Sequence, residues 1–404
     1  MSVALPPAPW RERAGLAALC AALDAGAGGA RFVGGVVRDT LLGLAVHDID
    51  IATRLAPQAV IERVRAAGLK AVPTGLAHGT ITAVLPDGPV EVTTLRRDVS
   101  TDGRHATIAF TDDWREDAAR RDFTINALYA DPLTGQVHDY FGGLVDLDAR
   151  RVRFIGDPLA RIAEDHLRIL RFFRFSARFG AEIDRDGLAA CAARANDLMA
   201  LSRERVADEL LKLLVAAKAP ATVALMIAHG IFRPVLPEIA SADRLARVAA
   251  FEAAAGLDPH AIRRLAALLP DDPALGDAIG ARLKLSNAQR KRLIAALDSS
   301  LAPPRALAYQ LGPESAADRL ALHAALDEAL AAWRAIADWP VPRLPLSGGE
   351  LVARGLRKGP DVARTLRAIE ARWVAEDFPG PERFAAIRDA EVAQALAALS
   401  NAKA

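Results

Sequence analysis

The sequence predicts an α+β protein, with a small mixed-sheet domain followed by an all-α remainder. Three observations carry this. Up to about residue 145, short runs of β character are cut by glycine and proline turns, as in "RFVGG", "DIDIAT", "GTITAVL" and "PVEVTTL". From about residue 157, helical periodicity takes over and runs to the C-terminus. Much of the 52% hydrophobic content is alanine, the strongest helix former.

Taken in order, residues 1–28 read as a lead-in helix ending at "GAGG". "RFVGG" reads as a strand entering a glycine turn, and "VVRDTLLG" as a short helix stopped by Gly43. A strand over 48–53 follows, then a helix opening at Pro57. "GTITAVL" and "PVEVTTL" form a hairpin across "PDGP". "RRDVSTDGRHATIAF" has little periodicity and reads as containing a mobile loop. "EDHLRILRFFRF" reads as one helix, and later helices stop at "FGAEID", "AHGIF" and "GLDPH". Prolines at 301–307 and 338–349 break the helical half.

The 404 residues are enough for two to four domains. A net charge of +1 means that any nucleic-acid surface must come from local clustering. Two cysteines, Cys20 and Cys191, supply neither a disulfide framework nor a zinc site and point to a reducing cytoplasm. There is no signal-peptide pattern and no run of about 18 apolar residues, so no membrane is expected.

The chemistry starts at "VHDIDIATRL". On a strand, Asp48 and Asp50 would share one face about 7 Å apart, repelling by about 2–3 kcal/mol at an effective dielectric of 20. A divalent cation between them reverses that sign, and Mg²⁺ suits a few carboxylate oxygens completed by substrate phosphates. A solvated edge strand with two ordinary acids is the alternative. Upstream, "GGVVRD" offers the Gly34–Gly35 turn, whose backbone N–H groups and helix start favour phosphate, with Arg38 in the first turn. A plain strand–turn–helix would look the same. Together, a phosphate cradle and an acidic strand within 20 residues argue for nucleotidyl transfer.

"FVGGVVRDTLLGLAVHDIDIAT" resembles the signature of the class II CCA-adding enzyme and bacterial poly(A) polymerase family. "RRDFTINALYAD", "DPLARIAEDHLRILRFFRFSARFG" and "SRERVADELLKLL" resemble its further motifs, and "AHGIFRPVLPE" its run into the body. The likeness covers about 32–238 and loosens beyond 240. It implies a polymerase-β-type nucleotidyltransferase head at 1–145, a helical neck at 146–215, a body at 216–300 and an RNA-binding tail at 301–404. The implied activity is template-independent addition of CCA to tRNA 3′ ends from CTP and ATP with Mg²⁺. A poly(A) polymerase, a partial CC- or A-adding enzyme and a catalytically silent RNA-binding protein are the rivals. No protein partner is implied. With no His-Asp pair in the C-terminal half, no phosphohydrolase activity is expected.

In that scheme Asp48 and Asp50 hold metal. Glu91 is the candidate third carboxylate, on a strand that could neighbour theirs; a solvent-face glutamate is equally consistent. Arg38 and Arg121 neutralise phosphate. Asp122 and Asn126 bond the ribose, unless Asp122 only caps a helix. The resemblance assigns Glu164, Asp165 and Arg168 to base selection. Asp165 and Arg168, three apart on one helix, would share a face. A carboxylate beside a guanidinium matches the amine and ring nitrogen that cytosine and adenine both present. Guanine and uracil would each leave buried groups unpaired, at about 1–3 kcal/mol apiece. An exposed i,i+3 ion pair is the plainer reading. Arg171 and Arg174 follow as a rail for triphosphate, and Phe172, Phe173 and Phe175 read as core. Asp98, Gly103 and Arg104 have chemistry suited to a loop that switches specificity from C to A. For RNA, the acid-free "ARLKLSNAQRKRL" offers Arg290, Lys291 and Arg292, and "ARGLRKGPDVAR" offers Arg357 and Lys358. Solvated helix faces are the alternative for both.

Overall fold

The computed structural model describes residues 3–101, 106–180 and 182–401, and of 98–101, 106–107 and 400–401 the backbone alone. The chain divides into two units, Met1–Ala242 and Asp243–Ala404.

The first unit is built on a seven-stranded sheet in the order β3-β4-β5-β2-β1-β8-β9. Its strands are β1 Ala30–Val33, β2 Asp50–Thr53, β3 Lys70–Gly75, β4 Thr80–Leu85, β5 Gly88–Thr94, β8 Leu128–Ala130 and β9 Val137–Asp139. β2 and β5 run parallel and the other neighbours antiparallel. The parallel pair needs a crossover, supplied by helix α3, Pro57–Ala66, which opens on its proline as expected. β4 and β5 form the expected hairpin, closing with Leu85 opposite Gly88.

Three expectations need correction here. The strand expected over 48–53 starts at Asp50, and Asp48 lies in the segment before it. The lead-in is not one helix: an extended residue at Ala4 bridges Gln136, and a 3-10 turn at Pro9–Glu12 precedes helix α1, Leu16–Ala22. Within 96–110, β6, Arg96–Thr101, pairs antiparallel with β7, Ala106–Phe110, and the expected loop between them lies outside the described residues. Of the proposed switching residues, Gly103 and Arg104 lie outside the described residues, as does the side chain of Asp98. Finally, residue 145 falls inside helix α5, Gly143–Asp148, rather than at an edge. Asp146 on α5 is fully buried and accepts from Thr124, Arg151 and Arg153, and Phe123 bridges Phe154, so the sheet domain holds its chain to at least 154.

Helix α2, Gly35–Leu41, leaves β1 at Gly34, whose φ of +74° suits glycine. Thr40 on α2 accepts from the indole of Trp10, which packs edge-on against Phe32. Helix α4, Trp114–Ala119, is capped by Asp113, which accepts from the Arg115 amide. The helices then run α6 Pro158–Glu164, α7 Arg168–Phe179, α8 Arg185–Ala193, α9 Arg203–Leu214 and α10 Ala219–Ala228. Asp157, Asp184 and Ser202 cap α6, α8 and α9. Phe172, Phe173 and Phe175 are buried, Phe172 stacking on Phe154, so the expected core role stands.

The second unit is helical: α11 Asp243–Ala255, α12 Ala261–Ala266, α13 Pro273–Arg282, α14 Asn287–Leu297, α15 Pro304–Leu311, α16 Pro313–His323, α17 Leu326–Arg334, α18 Gly348–Ala353, α19 Pro360–Ala375 and α20 Pro381–Asn401. Helices α13 and α14 approach closely because Gly276 and Gly280 face Leu297 and Arg290, where a Cβ would stand 2.5 and 2.7 Å from them. A second core forms from Leu351, Leu356, Ile369, Trp373, Phe384, Ile387 and Val392. The unit begins at Asp243. Among the described residues, no helix is long and apolar enough to cross a membrane.

Candidate active site

The register of the parallel pair sets the acidic centre. Asp50 on β2 lies directly across from Glu91 on β5, and the Glu91 amide donates to the Ile49 carbonyl at 3.0 Å. Ile49 and Ile51 are buried and pin the strand, while Asp48 and Glu91 are exposed. Asp50 is half-buried, and its carboxyl is pushed up to about 6. Burial is the largest cause, Glu91 and Asp48 add repulsion, and the Arg121 guanidinium opposes it. The third acid that the sequence offered is therefore on the neighbouring strand, in register with Asp50. Among the described residues, no three His, Cys, Asp or Glu side chains converge as a metal cluster.

The glycine turn lies beneath two arginines. A Cβ on Gly34 would stand 3.4 Å from Nη1 of Arg121, and one on Gly35 would stand 3.8 Å from Nη2 of Arg38. Arg121 is held by Asp117 and the Tyr129 hydroxyl. Asp117 is almost fully buried and also binds Arg120, the Tyr129 O–H and the Arg96 amide at the root of β6. Arg38 is buried rather than displayed. Its Nε donates to Asp39 and its Nη1 to Asn126, and the guanidinium lies over Phe179, so only Nη2 approaches the turn.

The segment after Arg121 is not an α-helix capped by Asp122. It forms a 3-10 turn, Thr124–Asn126, and Asp122 is saturated. Its Oδ1 accepts from the Phe123 amide and Asn126 Nδ2, and its Oδ2 from Nε and Nη2 of Arg171 at 2.7 and 2.6 Å. Those four bonds use its acceptor capacity, so the expectation that Asp122 bonds ribose is corrected. Burial raises its proton affinity, and Arg171 and Asn126 outweigh that, so its carboxyl is held below the ordinary range. Asn126 keeps one amide N–H.

Arg171 and Arg174, expected as a rail for triphosphate, each bind an acid of the protein. Arg171 is bound to Asp122, and Arg174 donates to buried Glu209 at 2.5 Å. They tie α7 to the sheet domain and to α9.

The single helix expected over "EDHLRILRFFRF" is broken. Helix α6 ends at Glu164, Asp165 is extended with φ −151° and ψ 107°, and α7 starts at Arg168. Asp165 causes the break: its side chain accepts from the Leu167 amide and its carbonyl from the Arg168 amide, the work of a cap. The shared-face reasoning for Asp165 and Arg168 therefore fails, although the turn still keeps them adjacent. Arg205 of α9, which sequence reading missed, clamps both oxygens of Asp165 at 3.1 and 2.9 Å. Glu164 pairs with Arg161 and Arg168, at 2.5 and 2.6 Å, and serves as a support.

In the second unit, Arg292 turns inward. It binds Asp318 and Glu314 and contacts His260, in a cluster completed by Arg263, Arg264 and Glu252. Arg290 pairs with Asp277 across the α13–α14 hairpin. Arg292 is withdrawn from RNA because buried Asp318 recruits it, whereas Arg290 is half-exposed, with Nε and Nη2 on Asp277. Lys291, Arg357 and Lys358 are exposed.

Residues 30–153 match the family model described as "Poly A polymerase head domain", and 180–243 match "Probable RNA and SrmB- binding site of polymerase A". The chain is 35% identical over 365 residues to "CCA tRNA nucleotidyltransferase 1, mitochondrial" of Mus musculus, covering 85% of this chain and 82% of that protein. The chain belongs to the CCA-adding enzyme and poly(A) polymerase family. The Streptococcus pyogenes "CCA-adding enzyme" is 41% identical over 201 residues, 49% of each chain. Among solved structures, the Bacillus stearothermophilus CCA-adding enzyme in complex with CTP has a TM-score of 0.74 at 27% identity, covering 93% of this chain and 97% of that one. The Thermotoga maritima CCA-adding enzyme complexed with tRNA shares the fold, with a TM-score of 0.67 at 22% identity and 95% of each chain covered. The glycine turn and the acids fall within the head-domain match, and the helix break at Asp165 lies between the two matched regions.

Proposed function

We propose that this chain is a tRNA nucleotidyltransferase that adds CCA to tRNA 3′ ends from CTP and ATP, without a nucleic-acid template. The observation that carries the chemistry is Asp50 in register with Glu91, with Asp48 close enough to repel Asp50. Asp48 and Asp50 offer two carboxylates, and Mg²⁺ accepts one or two when substrate phosphates complete its shell. Asp48 and Asp50 would hold it, with Glu91 beside them. When bound, the ion makes the attacking hydroxyl more acidic and screens phosphate charge.

The protein groups then orient the reactants. The Gly34–Gly35 turn lets backbone N–H groups approach the triphosphate, and Arg121 and the free Nη2 of Arg38 neutralise it. Asn126 offers its remaining N–H to the ribose. The RNA 3′-hydroxyl attacks the α-phosphorus and pyrophosphate leaves. Asp165 keeps acceptor capacity on Oδ2 after binding Arg205, and Arg168 keeps Nε–H and one Nη2–H. An amine of cytosine or adenine can donate to the first while the neighbouring ring nitrogen accepts from the second. Lys291, Arg357 and Lys358 supply phosphate contacts for RNA. The two cysteines are free and buried, which fits a reducing compartment such as the cytoplasm.

The test is purified protein with tRNA ending at the discriminator base and each triphosphate singly. CTP alone should extend it, and ATP should enter only after two cytidines. Extension of many RNAs by ATP alone would make it a poly(A) polymerase instead.

A further inference from the structure

On the reading that Asp165 and Arg168 select the base, we infer that Arg161 is a positioning residue for that selection, fixing the angle at which the Arg168 guanidinium meets the nucleobase. Arg161 touches Arg168 by two routes. Its carbonyl accepts from Arg168 Nη1 at 3.0 Å. Its Nη2 pairs with Glu164 Oε1 at 2.5 Å, while Glu164 Oε2 binds the same Arg168 Nη1 at 2.6 Å. Both protons of that nitrogen are thereby committed, which sets the guanidinium plane.

The support is anchored outside α6. Arg161 Nη1 donates to the carbonyl of Ala119 at 2.8 Å, and Arg168 Nη2 donates to the next carbonyl, Arg120, at 2.9 Å. Ala119 is the last residue of α4, and carbonyls at a helix end lack partners within the helix. The two arginines therefore satisfy the same helix end side by side. They share a frame with the chain that continues into Arg121 at the glycine turn.

Glu164 explains why Arg161 is needed. It is the last residue of α6, where the helix dipole disfavours a carboxylate. Two guanidiniums hold it there, one on each oxygen. Without Arg161, Glu164 keeps only Arg168 and is free to swing toward solvent, drawing the reading guanidinium with it. A misplacement of about an ångström is enough to cost discrimination without abolishing binding.

The test uses the full chain in single-turnover incorporation. CTP is set against UTP on tRNA ending at the discriminator base, and ATP against GTP on tRNA ending in two cytidines. Arg161→Ala should lower both preferences for the correct base roughly tenfold, with inhibition by pyrophosphate unchanged. Arg161→Lys reaches only one of the two acceptors and should lose several-fold; it carries the test if the alanine variant does not fold. A purely structural role would slow all four nucleotides by one factor and leave the ratios intact, which would overturn the inference. Arg168→Ala is the control. If its ratios are those of the parent, the base-reading assignment itself fails; if they collapse while both Arg161 variants keep theirs, only the role of Arg161 fails.

Discussion

Asp50 stands opposite Glu91 in a parallel strand pair, and its carboxyl holds its proton up to about pH 6 because burial and two neighbouring acids oppose its charge. An arrangement that costs stability in isolation is explained if a cation relieves it. Asp50→Asn and Asp48→Ala should each lower CTP incorporation by about a thousandfold or more, while tRNA binding is retained. Glu91→Gln should cost less, because Asp48 and Asp50 are the groups that would hold the cation and Glu91 stands beside them. Gel-shift binding alongside incorporation rates separates the two effects. Loss of tRNA binding in step with activity would instead assign these acids to folding.

Asp117 gives a stability prediction with a defined sign. Burial favours its neutral form, but Arg121 and Arg120, with the Tyr129 hydroxyl and the Arg96 amide, outweigh that and lower its carboxyl to about 2. A carboxylate whose folded value lies below its unfolded value stabilises the fold above the unfolded value, near 3.8, and loses that contribution as pH falls toward 2. The stake is roughly 2 kcal/mol. Denaturant midpoints should therefore fall between about pH 5 and pH 2, and Asp117→Asn should flatten that fall while lowering stability at pH 7.

Much of this was legible in the sequence, for local reasons. The glycine turn, the DxD run, the Pro57 helix start and the hairpin at "PDGP" depend on spacings of a few residues. The pairing of β5 with β2, which brings Glu91 to Asp50, could be named only as an option, because strand order is decided by packing at long range. The largest group of differences comes from long-range partners. Asp122, Arg171, Arg174 and Arg292 carry chemistry suited to ligands, but partners far along the chain bind them, and Asp122 and Arg292 are left with little capacity. The break at Asp165 was missed because a periodicity count does not register an aspartate that caps the next turn. Arg205 lies 40 residues away and left no local signal, whereas Arg161 and Glu164 at i,i+3 could have been read as a pair.

The second unit separates structural from RNA-directed cations. Arg292 binds fully buried Asp318, so Arg292→Ala leaves that charge uncompensated and should cost about 3–5 kcal/mol in denaturant unfolding. Lys291→Ala, Arg357→Ala and Lys358→Ala should leave unfolding midpoints unchanged. Each that meets a phosphate should reduce the slope of log tRNA affinity against log salt by about one. Parent-like slopes in all three would move the RNA footprint elsewhere.

Gly34 tests the triphosphate cradle apart from base selection. Its φ of +74° is a conformation that L side chains rarely adopt, and an added methyl would meet the Arg121 guanidinium at 3.4 Å. Gly34→Ala should therefore push Arg121 off the turn or twist the N–H groups that face the phosphates, and either change acts on a part common to every nucleotide. The Michaelis constants for CTP and ATP should rise together, by roughly tenfold, as for about 1–2 kcal/mol of lost phosphate binding. The preferences of CTP over UTP and ATP over GTP should stay at the parent values, because Asp165, Arg168 and Arg205 do not touch this turn. A selective loss for one base would mean that the turn and the base readers are coupled, with the α4 carbonyls that seat Arg161 and Arg168 as the connecting element.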